Sequence, residues 1–205
     1  MTIAVMKTKA ETTLAEHFET VLGRLPGGGT ARKMRQDAFA AFVAQGLPHR
    51  RVEEWKYTDL RAMLKEAFQP KSGGNFGSQA IAETLDGAQT GMLVGVDAHT
   101  IIFVDGIQVT NSVASPAAKF EALRLADALE TMPDWVAREI ARSARTTNAT
   151  LALNTAFMSD GAAIRVAEGV TLDQPIHLIF QTSGTENKLQ ICAWESNISL
   201  YSVSR

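Results

Sequence analysis

The spacing of apolar residues changes once along this chain, near residue 70, and the change limits the folds that the chain can adopt. Before it, apolar residues recur every three to four positions, which is typical of helices with one buried face. After it, short apolar runs lie between glycines and turn-forming polar residues, which indicates strands. A run of helices followed by strands predicts the α+β class instead of a regular alternation of the two.

The break in the pattern lies at Pro70 and the run Lys71-Ser72-Gly73-Gly74-Asn75 that follows it. Proline interrupts a helix, and polar, glycine-rich runs are typical of linkers. We therefore divide the chain into a helical N-terminal region, residues 1–70, a linker, residues 71–95, and a mixed region, residues 96–205.

Three helices are predicted in the N-terminal region. The first is ended by Pro26-Gly27, and the second begins with Thr30 as its cap and ends at Gly46, a residue type favoured just past a helix. The third is short and begins at Thr58 or Asp59. Their apolar faces consist of Leu14, Phe18, Val21, Leu22 and Leu25, then Met34, Ala38, Phe39, Phe42 and Val43, then Leu60, Met63, Leu64, Ala67 and Phe68.

The mixed region opens with the clearest strand signal of the chain. Two apolar runs, Ile101–Val104 and Ile107–Val109, are joined by Asp105-Gly106, which supplies the positive φ angles of a tight hairpin turn. Helical spacing then returns over three stretches: Phe120–Met132, Asp134–Ala144 and Thr147–Phe157.

Short β segments follow Gly161, namely Ala163–Val166, Thr171-Leu172 and Ile176–Phe180. Segments this short, separated by Gly169 or by Asp173-Gln174-Pro175, do not suit hairpins. We expect them to stack as successive rungs of a coiled, solenoid-like β-structure.

Composition argues against several classes of protein. The formal net charge of −2 gives no field to attract nucleic acid. No stretch approaches the ~20 apolar residues that a membrane-spanning helix needs, and residues 1–14 lack the apolar core of a signal peptide. The single cysteine, Cys192, cannot form an internal disulfide, so the cytoplasm is the expected location.

The sequence contains no recognisable catalytic motif. The four histidines, His17, His49, His99 and His177, are far apart, and none has another histidine or a cysteine at close spacing. Cys192 has neither a histidine nor a second cysteine near it in sequence. We therefore predict that the chain is not an enzyme and binds neither a metal nor another cofactor by itself.

The densest polar and aromatic cluster lies between the second and third helices. It consists of Arg50, Arg51, Glu53, Glu54, Trp55 and Tyr57. In one interpretation Arg–Glu pairs lock a loop while Trp55 and Tyr57 bury area. In the other the cluster is an exposed recognition surface, because Trp, Tyr and Arg dominate binding hot spots. On physical grounds alone we favour the structural role.

The same segment resembles a known signature. Residues 47–60 are similar to the signature near the N-terminus of SufD proteins, which belong to the SufB/SufD family. Later stretches resemble the family in the same order: residues 103–106, then 153–161, then 174–178.

This resemblance implies a non-catalytic scaffold subunit that works in iron–sulfur cluster assembly through a SufB–SufC–SufD-type complex. Members of the family have an N-terminal helical region, a central right-handed parallel β-helix and a C-terminal helical segment. The β-helix pairs with the paralogue SufB, the C-terminal segment docks the ATPase SufC, and the full complex handles the cluster. This chain stops soon after the β-helix begins, so we expect the first rungs of a β-helix in a truncated form.

Two alternatives remain open. A SufB-like paralogue would share the β-helix. A β-solenoid enzyme acting on polysaccharide would need carboxylates aligned on neighbouring rungs. The strand region carries only Glu168 and Asp173 among acidic residues, and both lie in predicted turns.

Overall fold

The computed structural model describes residues 7–69, 97–111, 120–143 and 148–181, and the structural statements below concern these residues. The predicted linker, residues 71–95, and Cys192 lie outside them. The helices are α1 Lys9–Val21, α2 Gly29–Gln45, α3 Leu60–Met63, α4 Leu125–Thr131, α5 Asp134–Ser143 and α6 Ala149–Phe157. The strands are β1 His99–Val104, β2 Ile107–Asn111, β3 Phe120–Arg124, β4 Ala162–Val166 and β5 Ile176–Gln181.

Helix α1 begins with a capping box. The Thr8 hydroxyl accepts a hydrogen bond from the Glu11 N–H at 3.2 Å, and the Glu11 carboxylate accepts one from the Thr8 N–H at 2.6 Å. Both contacts satisfy backbone groups that the first turn of a helix leaves free. They define where the first predicted helix starts.

Helix α2 begins before its predicted cap. Gly28 is the N-cap and the helix runs from Gly29, so the expectation that Thr30 caps it is wrong. The reason lies in the preceding turn, where Gly27 has φ +95° and a Cβ would lie only 2.7 Å from the Leu129 carbonyl oxygen. This turn directs the chain into the helix ahead of Thr30. The predicted end at Gly46 is confirmed, with φ 71°.

The main core is built by α1, α2 and α6. The Phe18 and Phe39 rings stack with their centroids 4.1 Å apart, and the Phe157 ring meets each of them edge-on. Such aromatic pairs add packing energy to the area that the rings bury. This core therefore joins residues from both sides of the predicted linker. Its other buried members include Ala10, Leu14, Val21, Leu22, Leu25, Ala38, Phe42, Leu47, Ala67 and Leu153.

The predicted hairpin is confirmed. Strands β1 and β2 pair antiparallel, with Val104 opposite Ile107, and the turn residues Asp105 and Gly106 have φ 50° and 83°. On its other side β1 pairs in parallel with β5, from His99 opposite Ile176 to Val104 opposite Gln181. The strand order is therefore β2-β1-β5.

Residues 120–132 correct the predicted helix at this place. Only its second half is helical, as α4, whereas the first half is strand β3. Strand β3 pairs antiparallel with β4, from Phe120 opposite Val166 to Arg124 opposite Ala162. This long-range pairing decides the conformation of β3. The predicted helices at residues 134–144 and 147–157 are confirmed as α5 and α6 over the described residues.

The two late strands pair with earlier strands and not with each other. Strand β4 lies against β3, and β5 lies against β1. Residues 171 and 172, predicted as a further segment, do not form a strand. The described residues thus form an α+β fold with two small sheets, and no β-helix is seen within them.

A buried arginine connects segments that lie before and after the predicted linker. The Arg35 side chain is 1% exposed, and its guanidinium donates to the Pro26 carbonyl at 2.6 Å and to the Met158 carbonyl at 2.9 and 3.2 Å. Burial lowers the pKa of Arg35 to about 10, and the charge of Glu130 partly opposes this effect. Arg35 therefore holds the turn before α2 and the end of α6 together.

A buried carboxylate connects the two sheets. The Asp160 side chain is 4% exposed and accepts hydrogen bonds from the Arg124 guanidinium at 2.6 Å and the Gln108 N–H at 3.1 Å. It also accepts from the Gly161 N–H at 2.9 Å and, at 3.4 Å, from the Ala126 N–H at the start of α4. The hydrogen bond to Asp160 raises the pKa of Arg124 against the effect of burial. Asp160 thereby fixes β2 relative to β3 and β4.

Candidate protein-interaction site

Residues 48–61, which we call the signature loop, leave the fold and return to it at almost the same point. The Arg61 N–H donates to the Pro48 carbonyl at 3.0 Å, so the two ends of the loop are joined by a backbone hydrogen bond. Compact surface loops of roughly 6–16 residues with adjoining ends are Ω-loops, which are frequently functional. The loop contains every residue of the polar and aromatic cluster identified from the sequence.

The base of the signature loop is held by Glu11 of α1. Its carboxylate accepts a hydrogen bond from the Leu47 N–H at 2.7 Å and lies 3.9 Å from the Arg61 guanidinium. Gly46 lies next to this contact with φ 71°, which favours glycine, and a Cβ there would lie 2.7 Å from the Glu11 Oε1 atom, so that the carboxylate would have to move. One carboxylate thus fixes the start of α1 and both ends of the loop.

Burial raises the pKa of Glu11, but hydrogen bonds from the Thr8 and Leu47 N–H groups, with the Arg61 charge, outweigh it and lower the pKa overall. A carboxyl group whose pKa is lower in the folded than in the unfolded chain stabilises the fold above its unfolded pKa. That contribution is lost as the pH falls through the folded pKa.

We expect the Glu11→Gln variant to lose about 1–2 kcal/mol of unfolding free energy at pH 7, because the Thr8 and Leu47 N–H groups donate to different carboxylate oxygens and glutamine replaces one of these by an NH2 group. The difference from the parent should shrink at pH values well below the ordinary glutamate pKa of 4.5. Urea unfolding of the parent and the variant, at pH 7 and at a pH well below 4.5, measures this difference in unfolding free energy. Glu16→Gln, on the exposed side of α1, is the matched control. A deficit that is equal at both pH values would contradict this role of the ionised carboxylate.

The backbone of the signature loop is internally hydrogen-bonded. Successive N–H groups of Val52, Trp55, Lys56 and Thr58 donate to carbonyls three residues earlier, and a 3₁₀ turn covers Glu53–Trp55. The Asp59 carboxylate accepts from the Ala62 N–H at 2.9 Å, which caps α3. That bond, and further ones from Arg50, lower the pKa of Asp59 despite partial desolvation. The loop is therefore ordered before anything binds it.

The side chains of the cluster contradict most of the expected structural lock. Tyr57 is 92% exposed, with the Lys56 ammonium 5.2 Å from its ring centroid, although Trp55 is partly buried. The expected Arg–Glu pairs are also absent among the described residues. The ion pairs instead join Arg50 to Asp59 at 3.5 Å and Lys56 to Glu53 at 2.7 Å. An exposed surface on an ordered loop fits these positions better.

The described histidines are not part of any group of side chains that could hold a metal ion. His49 accepts the Arg51 N–H on Nδ1 at 3.2 Å, the His99 ring packs against Phe120, and His177 lies partly buried in β5. Across the four described segments, no three His, Cys, Asp or Glu side chains are grouped so as to hold a metal ion. Within the same segments, no helix has the length and apolarity needed to span a membrane.

Three residues that hold the signature loop or the surrounding fold were not identified from the sequence. They are Glu11, Arg35 and Asp160, whose partners lie 36, 123 and 36 positions away. Only Glu11 had a local signal, the Thr-x-x-Glu pattern of a capping box at Thr8. That pattern indicates a helix start but not a contact with the signature loop.

Comparison with known proteins supplies one match. The family model described as SufBD protein N-terminal region matches residues 11–178, which is well over half of the chain. The matched range contains Glu11, the signature loop, the main core except Ala10, and most of both sheets. A search of curated proteins finds no match.

Proposed function

The chain belongs to the SufBD family, and from this premise we propose that it is a non-catalytic scaffold subunit of the Suf system for iron–sulfur cluster assembly. The match over residues 11–178 carries the proposal. Three buried charges among the described residues support a scaffold role. Glu11, Arg35 and Asp160 all bind backbone groups of distant segments, so these charged side chains stabilise the fold.

Within this family we propose a SufD-type subunit. The family model covers the SufB and SufD types alike, so this assignment rests on the resemblance of residues 47–60 to the SufD signature. The proposed partners are a SufB-like paralogue and a SufC-like ATPase, and the complete complex would handle the cluster. A β-helix belongs to the same proposal, which the parallel pairing of β1 with β5 supports.

Co-purification tests this function. We expect the chain to join a complex of the SufB-like and SufC-like proteins from the same genome. Light scattering after size exclusion would show the mass of the complex increasing by one copy of the chain. The complex without the chain is the control. Elution of the chain alone, at concentrations well above those of cellular complexes, would contradict the proposal.

A further inference from the structure

The signature loop has features that folding alone does not explain. Its ends are joined, its backbone is hydrogen-bonded and its base is held by a buried carboxylate, yet Tyr57 is 92% exposed. An aromatic ring in water contributes little to stability. An ordered loop that presents such a ring has already lost the conformational entropy that a partner would otherwise have to remove on binding.

The charges of the loop indicate the chemistry of its partner. The cations Arg50, Arg51 and Lys56 are exposed, as are the carboxylates Glu53 and Glu54. The third carboxylate, Asp59, is only 23% exposed, because it caps α3 and pairs with Arg50. Counted with the partly buried Arg61, residues 48–61 carry four cations and three carboxylates, so their formal charges sum to +1, on a chain whose net charge is −2. Arginine suits carboxylate partners in particular, since its planar guanidinium binds them through two parallel hydrogen bonds.

We propose that the signature loop docks onto another Suf subunit at an apolar spot flanked by carboxylates, with Tyr57 on the apolar spot and Arg51 on a carboxylate. The proposal rests on the proposed function and names a contact for it. Arg51 is the central cation because, among the described residues, its side chain forms no ion pair, whereas Arg50 and Lys56 are paired within the loop. A polyanion such as nucleic acid is less suited, because Glu53 and Glu54 would face its phosphates.

Charge reversal tests the proposal in the complete chain. The probe is the purified complex of the SufB-like and SufC-like proteins, and calorimetry measures its affinity. We expect Arg51→Glu and Tyr57→Ala each to weaken binding about tenfold or more, and the parent affinity to fall as ionic strength rises. Arg32→Glu makes the same charge change on the exposed side of α2 and should bind like the parent. Both loop residues are exposed, so thermal unfolding of the variants should match the parent.

The outcomes separate the two proposals. If the parent chain fails to bind the complex, the proposed function is contradicted and the docking proposal is overturned with it. If the parent binds but Arg51→Glu and Arg32→Glu bind equally well, only the docking proposal is overturned. Binding of the parent to a single-stranded oligonucleotide that is lost in Arg51→Glu would also overturn it, in favour of a nucleic-acid surface.

Discussion

The Arg35→Ala variant is expected to lose about 3–5 kcal/mol of unfolding free energy. The substitution leaves a cavity at a side chain that is 1% exposed. It also leaves the Pro26 and Met158 carbonyls without their hydrogen-bond donor. Part of the loss is offset, because the variant no longer buries the guanidinium, whose pKa burial lowers to about 10. Chemical denaturation monitored by far-ultraviolet circular dichroism measures the change.

Two control variants separate the contributions to the loss at Arg35, namely the cavity and the missing hydrogen bonds. Arg35→Met keeps a long unbranched side chain but cannot donate, so its deficit reports the two carbonyls without the cavity. Arg32→Ala removes an arginine from the exposed side of the same helix and should change stability by less than about 0.5 kcal/mol. Equal stability of Arg35→Ala and the parent would mean that this buried contact contributes nothing to the fold.

The Asp160→Ala variant is expected to lose about 3 kcal/mol of unfolding free energy. The Arg124 side chain, 40% exposed, can turn to water, so most of the loss comes from backbone N–H groups left without an acceptor. Those groups belong to Gln108, Ala126 and Gly161, in three different segments. For a chain of this size the change corresponds to a melting temperature lower by about 6–12 °C. Differential scanning calorimetry measures it.

Asp160→Asn is the matched variant, because an amide oxygen still accepts hydrogen bonds but carries no charge. Its one amide oxygen can keep the Gly161 and Ala126 N–H bonds, which both go to Oδ1, but not the Gln108 bond to Oδ2. Asp160→Asn should therefore lose less than Asp160→Ala, and the difference between the two measures the bonds to Oδ1. Asp173→Ala, in the turn before β5, changes the same residue type outside this junction. If Asp160→Ala and Asp173→Ala have the same melting temperature, the Asp160 carboxylate does not hold the two sheets together as described.

Local patterns predicted those parts of the fold that local forces decide. The Asp105-Gly106 turn sets the hairpin, since both residues adopt the positive φ angles that the dipeptide favours. The predicted apolar face of the first helix and three residues of the second, Ala38, Phe39 and Phe42, lie in the main core as expected, because helical spacing places such residues on one side. The other two residues of the second face do not: Val43 is 39% exposed, and Met34 packs against a separate apolar cluster. Strand β3 was predicted as helix, because its pairing with β4, 38 to 46 positions later, has no local signature.

The candidate site likewise combines features that the local sequence predicts with features that contacts between distant residues decide. The residues of the signature loop are recognisable from their composition and from resemblance. Their exposure is not, because it depends on Glu11 holding Leu47 and on Asp59 turning back to cap α3. Both contacts leave the Tyr57 ring outside the fold and draw Arg50 away from the glutamates. The interpretation as a lock was therefore wrong for Tyr57 and for the Arg–Glu pairs.

The shared core of α1, α2 and α6 has a consequence for the newborn chain on the ribosome. Arg35 and Met158 are 123 positions apart, so at roughly 5–20 residues per second Met158 is added about 6–25 s after Arg35. During that interval Phe18 and Phe39 have no Phe157 to cover them. Exposed aromatic faces of this kind bind chaperones or neighbouring nascent chains. Slower translation between α2 and α6 would lengthen that exposure.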